Sequence, residues 1–252
     1  MKKFIKLLSL SLAMLFIFAC TVSCTSTDKY IIATDTVFAP FEFTDADGNL
    51  VGIDVEILAA IAEDQGFEYE LQSLGFNAAV TALETSQADG VIAGMSITDE
   101  RKEKYNFSDA YYDSGVVMAI AANNTEITKY EDLKGKIVAV KQGTEGKTFA
   151  ESIKDQYGFE ISVLDNSATM YEAVKTGAAV ACFEDYPVMG YGISQGNGLK
   201  MVTEMEKGSS YGFAVLKEAG NDKLVEMFNA GLKNIKENGK YQEILDKYIK
   251  TN

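Results

Sequence analysis

The chain has no histidine, two prolines and three cysteines in 252 residues, and its 23 basic residues are outnumbered by 37 acidic ones. Without histidine there is no His general base, no Ser–His or Cys–His nucleophile system and no His-ligated metal. A net charge of −14 provides no basic face to displace counterions from a polyanion, which argues against nucleic-acid binding. The few prolines and the lack of any low-complexity tract confine disorder to the N-terminus. Only Cys182 falls in the folded part, so no disulfide between core cysteines is expected and Cys182 reads as a buried structural thiol.

What is present is a core. Hydrophobic residues make up 47% of the chain, and its length suits two α/β lobes of about 100 residues each. Ahead of them lies a targeting segment: Lys2, Lys3 and Lys6, then an apolar run over residues 7–19 that is too short for a comfortable membrane span. It ends in Ile17-Phe18-Ala19-Cys20, which resembles a bacterial lipobox. Residues 1–19 are therefore expected to be a signal peptide, with Cys20 lipidated and residues 20–29 forming a polar tether. Cys24, after Val22-Ser23, is the second candidate, with the less apolar Thr21 at its −3 position. An ordinary signal peptide with incidental cysteines is the bland alternative.

The body of the chain reads βαβαβ twice. Residues 30–34 are β-branched and precede Asp35. Apolar residues then recur at helical spacing over residues 53–65 and stop at Gly66. A strand at 67–71, a helix at 77–86 and a buried strand at 90–93 follow. The second set is a strand at 136–140, a helix at 145–156, a strand at 161–164, a helix at 168–176 and a strand at 179–183. This order implies α/β lobes with mostly parallel sheets. The apolar run 114–122 suits a crossing between lobes, and 210–216 a return. Two final helices are expected at 222–237 and 241–248. The expected division is a discontinuous first lobe, 30–113 plus 210–252, and a second lobe, 114–209. Two crossings make a hinge.

Ligands of open α/β sheets lie beyond the carboxyl ends of parallel strands. The residues at those ends are Asp35 with Phe38, then Gly94 and Ser96 with Arg101 close behind, then Lys141 and Thr144, and finally Glu184-Asp185. The set matches a zwitterion. Arg101, Ser96 and backbone N–H groups suit a carboxylate, helped by the helix that opens after Thr144. Asp185 suits an ammonium, and Phe38 and Phe76 can sandwich a side chain. Each residue also has an ordinary reading: Arg101 and Lys141 as solvated charges, Phe38 and Phe76 as core, Asp185 as a helix cap.

The ordered segments Ala33-Thr34-Asp35-Thr36, Pro40-Phe41-Glu42-Phe43, Val51-Gly52-Ile53-Asp54 and Gly94-Met95-Ser96-Ile97-Thr98-Asp99-Glu100-Arg101 add a resemblance. Together with Val140-Lys141-Gln142-Gly143-Thr144 and Glu184-Asp185-Tyr186-Pro187, they resemble the polar amino-acid solute-binding proteins of ABC importers over residues 29–248. The resemblance implies a type II periplasmic-binding-protein fold that closes like a Venus flytrap. It implies that Arg101 holds the α-carboxylate with Ser96 and the backbone near Gly94 and Thr144, and that Asp185 holds the α-amino group. The sequence looks most like the glutamine binders, in which residues matching Asp35, Phe38, Phe76 and Lys141 shape the side-chain pocket.

Glu184 stands where those proteins carry histidine, and Glu145 where a glycine is common. Glu184 is left open between adding negative charge to the pocket and facing solvent. The expectation is thus a monomeric, extracytoplasmic lipoprotein with no cofactor and no catalysis, held on the outer face of a membrane, that delivers a free L-amino acid to a permease. A fold-related secreted dehydratase and a ligand-sensing domain are the alternatives from other classes.

Overall fold

A computed structural model describes residues 29–249; the expectations for the signal peptide and for lipidation at Cys20 lie outside the described residues. The chain begins with β1 (Lys29–Thr34), β2 (Val37–Phe38), β3 (Glu42–Thr44), β4 (Leu50–Val51), α1 (Ile53–Gln65), β5 (Glu68–Ser73), α2 (Phe76–Glu84), β6 (Gly90–Val91), α3 (Asp99–Lys104), β7 (Tyr105–Phe107) and β8 (Tyr112–Ala121). It continues with β9 (Ile137–Lys141), α4 (Glu145–Tyr157), β10 (Glu160–Leu164), α5 (Ser167–Thr176), β11 (Ala181–Asp185), α6 (Tyr186–Ser194), β12 (Leu199–Met201), β13 (Glu206–Tyr211), β14 (Ala214–Leu216), α7 (Asp222–Glu237) and α8 (Lys240–Tyr248).

Two sheets organise the lobes. The first has the order β5-β1-β6-β14-β7, and the second β10-β9-β11-β8-β12, with β13 also on β8. Both are mixed rather than mostly parallel as expected. The strands joined by helices, β5-β1-β6 and β10-β9-β11, are parallel. The remaining pairings, of β8 with β11, β12 and β13 and of β14 with β6 and β7, are antiparallel.

Alternation along the central strands explains why both faces are covered. Ile32 of β1 packs with α1 and α7 residues such as Ile57 and Phe228, whereas Ala33 beside it packs with Ala79 and Leu83 of α2. Val138 and Val140 of β9 face Phe159 and Phe183, while Ala139 faces Met170 of α5. Helix α1 buries Ile53, Ile57, Leu58 and Ile61 and ends in a left-handed Gly66 whose N–H returns to the Ala62 carbonyl. Gly52 precedes it at φ 136°, where a Cβ would lie 2.1 Å from the Phe41 carbonyl oxygen. Glycine alone fits there.

The expected single return strand, 210–216, is two strands in two sheets. β13 ends at Tyr211 on β8, and β14 starts at Ala214 between β6 and β7. Between them, Gly212 donates its N–H to the Met95 carbonyl and Phe213 donates to the Ser108 hydroxyl. The chain therefore changes sheets at this point while the N–H groups of Gly212 and Phe213 stay partnered. The small sheet β2-β3-β4 and the short helix α3 carried too little periodicity to be expected from the sequence.

Candidate ligand-binding site

The candidate residues sit at or just past strand ends, on the sides where the lobes meet. Asp35 follows β1, Phe38 ends β2, Phe76 opens α2, and Gly94 and Ser96 follow β6. Arg101 lies on α3, Lys141 ends β9, Thr144 caps α4 and Asp185 ends β11.

Lys141 Nζ, from the second lobe, is paired with Asp35 Oδ2 of the first, and each side chain is 1% exposed. Asp35 is fixed in turn: its Oδ1 accepts the Thr36 N–H at 2.6 Å and its carbonyl accepts the Ser73 hydroxyl at 3.1 Å. The Lys141 ammonium stands 4.6 Å from the Phe38 ring centroid and 5.6 Å from that of Phe76. The two rings therefore face an ion pair rather than a purely apolar core.

Arg101 reaches across the same cleft. Its guanidinium donates to the Ser96 carbonyl at 2.8 Å and, from the other nitrogen, to the Gly143 carbonyl of the second lobe at 3.0 Å. It lies 5.5 Å from the Phe76 centroid. Helix α3 delivers it, with the Thr98 side chain accepting the Arg101 N–H at 3.2 Å as the cap. Burial lowers the guanidinium from its ordinary value, while the charges of Glu145 and Asp185 oppose the shift. A cavity of about 220 Å3 adjoins Arg101, Phe76 and Gly143 on the side of Val80, Lys104 and Tyr105, and its lining includes none of Asp35, Phe38, Lys141 or Asp185.

Asp185 is buried, and its Oδ2 accepts the Tyr211 hydroxyl at 2.6 Å. Burial first, and then the neighbouring Glu184 charge, push its carboxyl up to about 7, against the pull of Tyr211, Lys141 and Arg101. Glu184 itself neither lines the pocket nor faces solvent. It points to the opposite face of β11, where its carboxylate accepts the hydroxyls of Ser167 and Tyr171 at 2.8 Å each and the Asp185 N–H at 3.0 Å. Thr144 donates to the Lys141 carbonyl at 2.8 Å and accepts the Lys147 N–H at 3.3 Å, tying the end of β9 to the start of α4. Glu145, just inside that helix, pairs with Lys207 at 3.3 Å.

Gly94 contributes shape. At φ 53°, a Cβ would fall 2.3 Å from a Phe38 ring carbon. Its N–H is turned inward to Asp54 Oδ2 at 2.8 Å and so does not face the cleft. Sequence reasoning missed Tyr211, which holds Asp185 and packs edge-on against Phe41, and it gave no role to Glu42 or Asp54. The only available signal for the latter two was a carboxylate within each of two otherwise apolar, glycine-flanked segments. Among the described residues, no group of three or more His, Cys, Asp or Glu side chains can hold a metal, and no helix is long and apolar enough to cross a membrane.

Comparison with known proteins places the chain in a family. The chain is similar to an arginine-binding extracellular protein, ArtP, of Bacillus subtilis, at 31% identity over 99% of this chain and 98% of the relative. It is similar to the second substrate-binding domain of GlnP from Lactococcus lactis in an open conformation, at 38% identity, TM-score 0.62, and 90% and 97% coverage of the two chains. An ancestral arginine-binding protein bound to glutamine shares 34% identity at TM-score 0.81, covering 88% of this chain and 98% of that one. Residues 30–251 match the model of the bacterial extracellular solute-binding proteins, family 3. The chain belongs to that family, and its two α/β lobes have the type II periplasmic-binding-protein fold.

Proposed function

We propose that this solute-binding protein clamps a polar L-amino acid, glutamine above all, between its lobes and hands it to an ABC importer. The observation that carries the reading is the paired Asp35–Lys141 between Phe38 and Phe76, in one cleft with Arg101 and Asp185. Arg101 offers a planar fork to an α-carboxylate and Asp185 an acceptor to an α-ammonium. The Asp35–Lys141 pair offers one acceptor and one donor with no net charge, which matches a carboxamide. A cationic guanidinium would meet the buried ammonium of Lys141.

Lobe closure is supported by the cross-cleft contacts Asp35–Lys141 and Arg101–Gly143. It is supported too by the higher TM-score to a glutamine-bound relative than to an open one of greater identity. The proposed division is 30–113 plus 210–252 for the first lobe and 114–209 for the second. The change of sheet between Tyr211 and Ala214 supports it. The N-terminal sequence supports a lipid anchor at Cys20 on the outer membrane face. The family supports a binding rather than a catalytic role.

Calorimetry with the full set of amino acids tests the reading. Heat with glutamine at sub-millimolar affinity is expected, with arginine much weaker. No heat with any amino acid overturns the ligand class, and tighter arginine binding overturns the glutamine assignment. Mass spectrometry of the membrane-borne protein, with C20A and C24A compared, tests the anchor.

A further inference from the structure

Behind the pocket wall lies a pair of acidic residues that ligand binding does not use. Glu42 of β3 is 0% exposed and neither of its carboxyl oxygens has a hydrogen-bond partner; Asp54, in the first turn of α1, is also 0% exposed and its Oδ1 has none either. Asp54 Oδ2, by contrast, is fully occupied, accepting the Gly94 N–H and the Tyr111 hydroxyl at 2.8 Å each. The two carboxyl groups adjoin each other.

Two adjacent carboxylates, each 0% exposed, cannot both carry charge, and unpartnered buried oxygens are destabilising. Among the described residues, no unpaired cation stands near enough to neutralise them. Lys141, the one cation among the described residues that acts on Glu42, is already paired with Asp35, whose own negative charge faces Glu42 from the end of β1. The remaining titratable neighbours are Tyr111 and Tyr241, whose phenols are pushed up by burial and by Asp54, so both stay protonated and Tyr111 stays a donor.

We infer that Glu42 is a neutral carboxylic acid whose O–H donates to Asp54 Oδ1, and that this proton-bridged pair is a positioning device for the Gly94–Phe38 wall. One proton then resolves both problems at once: a donor meets the orphaned Oδ1, and the pair carries a single charge. Desolvation, followed by the Asp54 charge, keeps the Glu42 proton bound well above the ordinary carboxylate range. The link to the wall is direct. Glu42 pairs with Phe38 across the β2–β3 register, and Asp54 grips the Gly94 N–H. Phe38 lies against the bare Cα of Gly94, so loss of the shared proton would act on both sides of that contact. The positioning half rests on the ligand reading above; the protonation half does not.

The two halves are tested separately, on the full mature chain. Infrared difference spectra with labelled glutamate should show a protonated carboxylic C=O band at pH 7 that disappears in E42Q. Denaturant stability from pH 5 to 8 should fall more steeply with pH in the wild type than in E42Q, by up to tenfold per pH unit in the folding constant. No such band, or equal slopes, overturns the protonated acid. A stability that tracks sodium or potassium concentration instead of pH would assign the orphaned oxygens to a cation and overturn it as well. For positioning, E42L should weaken L-glutamine binding at least tenfold, with E42Q, which restores a donor, recovering most of the loss. E42L binding like the wild type overturns the positioning role. If E42L does not fold, failure of E42Q to bind better than D54N does so.

Discussion

Lys141 and Asp35, brought from different lobes, form an ion pair in which each side chain is 1% exposed. Removing one member of such a pair leaves an uncompensated buried charge, at a cost of about 3–5 kcal/mol. K141M should therefore destabilise this contact between the sheets and leave Asp35 free to accept a guanidinium. Glutamine affinity is expected to fall at least tenfold while arginine affinity rises, as read by calorimetry with both ligands. An unchanged preference would remove the pair from the specificity pocket.

Arg101 holds two carbonyls, of Ser96 and of Gly143, that belong to different lobes. R101A should cost about 2–5 kcal/mol of ligand binding, because the desolvated carboxylate of the ligand loses its charged partner. R101K should also bind poorly, since a single ammonium cannot reproduce the fork. Dissociation constants of the two variants check this; wild-type affinity in R101A would refute the clamp.

Asp185 is raised to about 7 by burial and by Glu184. In the absence of ligand, the stability contributed by its proton is complete below the ordinary carboxylate range and is lost as pH rises towards 7. A ligand ammonium favours the ionised form. Binding should therefore release a proton, and affinity should drop by up to tenfold per unit as pH falls below about 7. Calorimetry at pH 6 in buffers of different ionisation heat measures the proton count. A buffer-independent heat would contradict the linkage.

Glu184 acts on this titration from behind the strand. E184Q should keep the bonds to Ser167 and Tyr171 largely intact while removing the neighbouring charge. The pH below which affinity falls should then shift downward, with little change in affinity at pH 8. An unshifted profile would leave burial as the sole cause.

Gly94 has no room for a Cβ, which would lie 2.3 Å from Phe38 at a φ of 53°. G94A should lower the thermal midpoint and weaken glutamine binding at least tenfold by displacing the Phe38 ring. Wild-type values for both would show that the ring relaxes freely.

The linear sequence was enough to place the helices at 53–65 and 145–156, since apolar spacing and a terminal glycine are local signals and each helix closes its own hydrogen bonds. It also put Asp35, Arg101, Lys141 and Asp185 near strand ends, because chain order alone orients the carboxyl ends of parallel strands. Tertiary structure decided the rest. It split 210–216 between two sheets, joined Asp35 to Lys141 across 106 positions, turned Glu184 towards Ser167 and Tyr171 and Asp185 towards Tyr211, and set Glu42 against Asp54 in a site closed to solvent. Each of these depends on which distant surface a side chain meets, and the charge state of a buried carboxyl is set by those neighbours, not by the residues beside it in the chain.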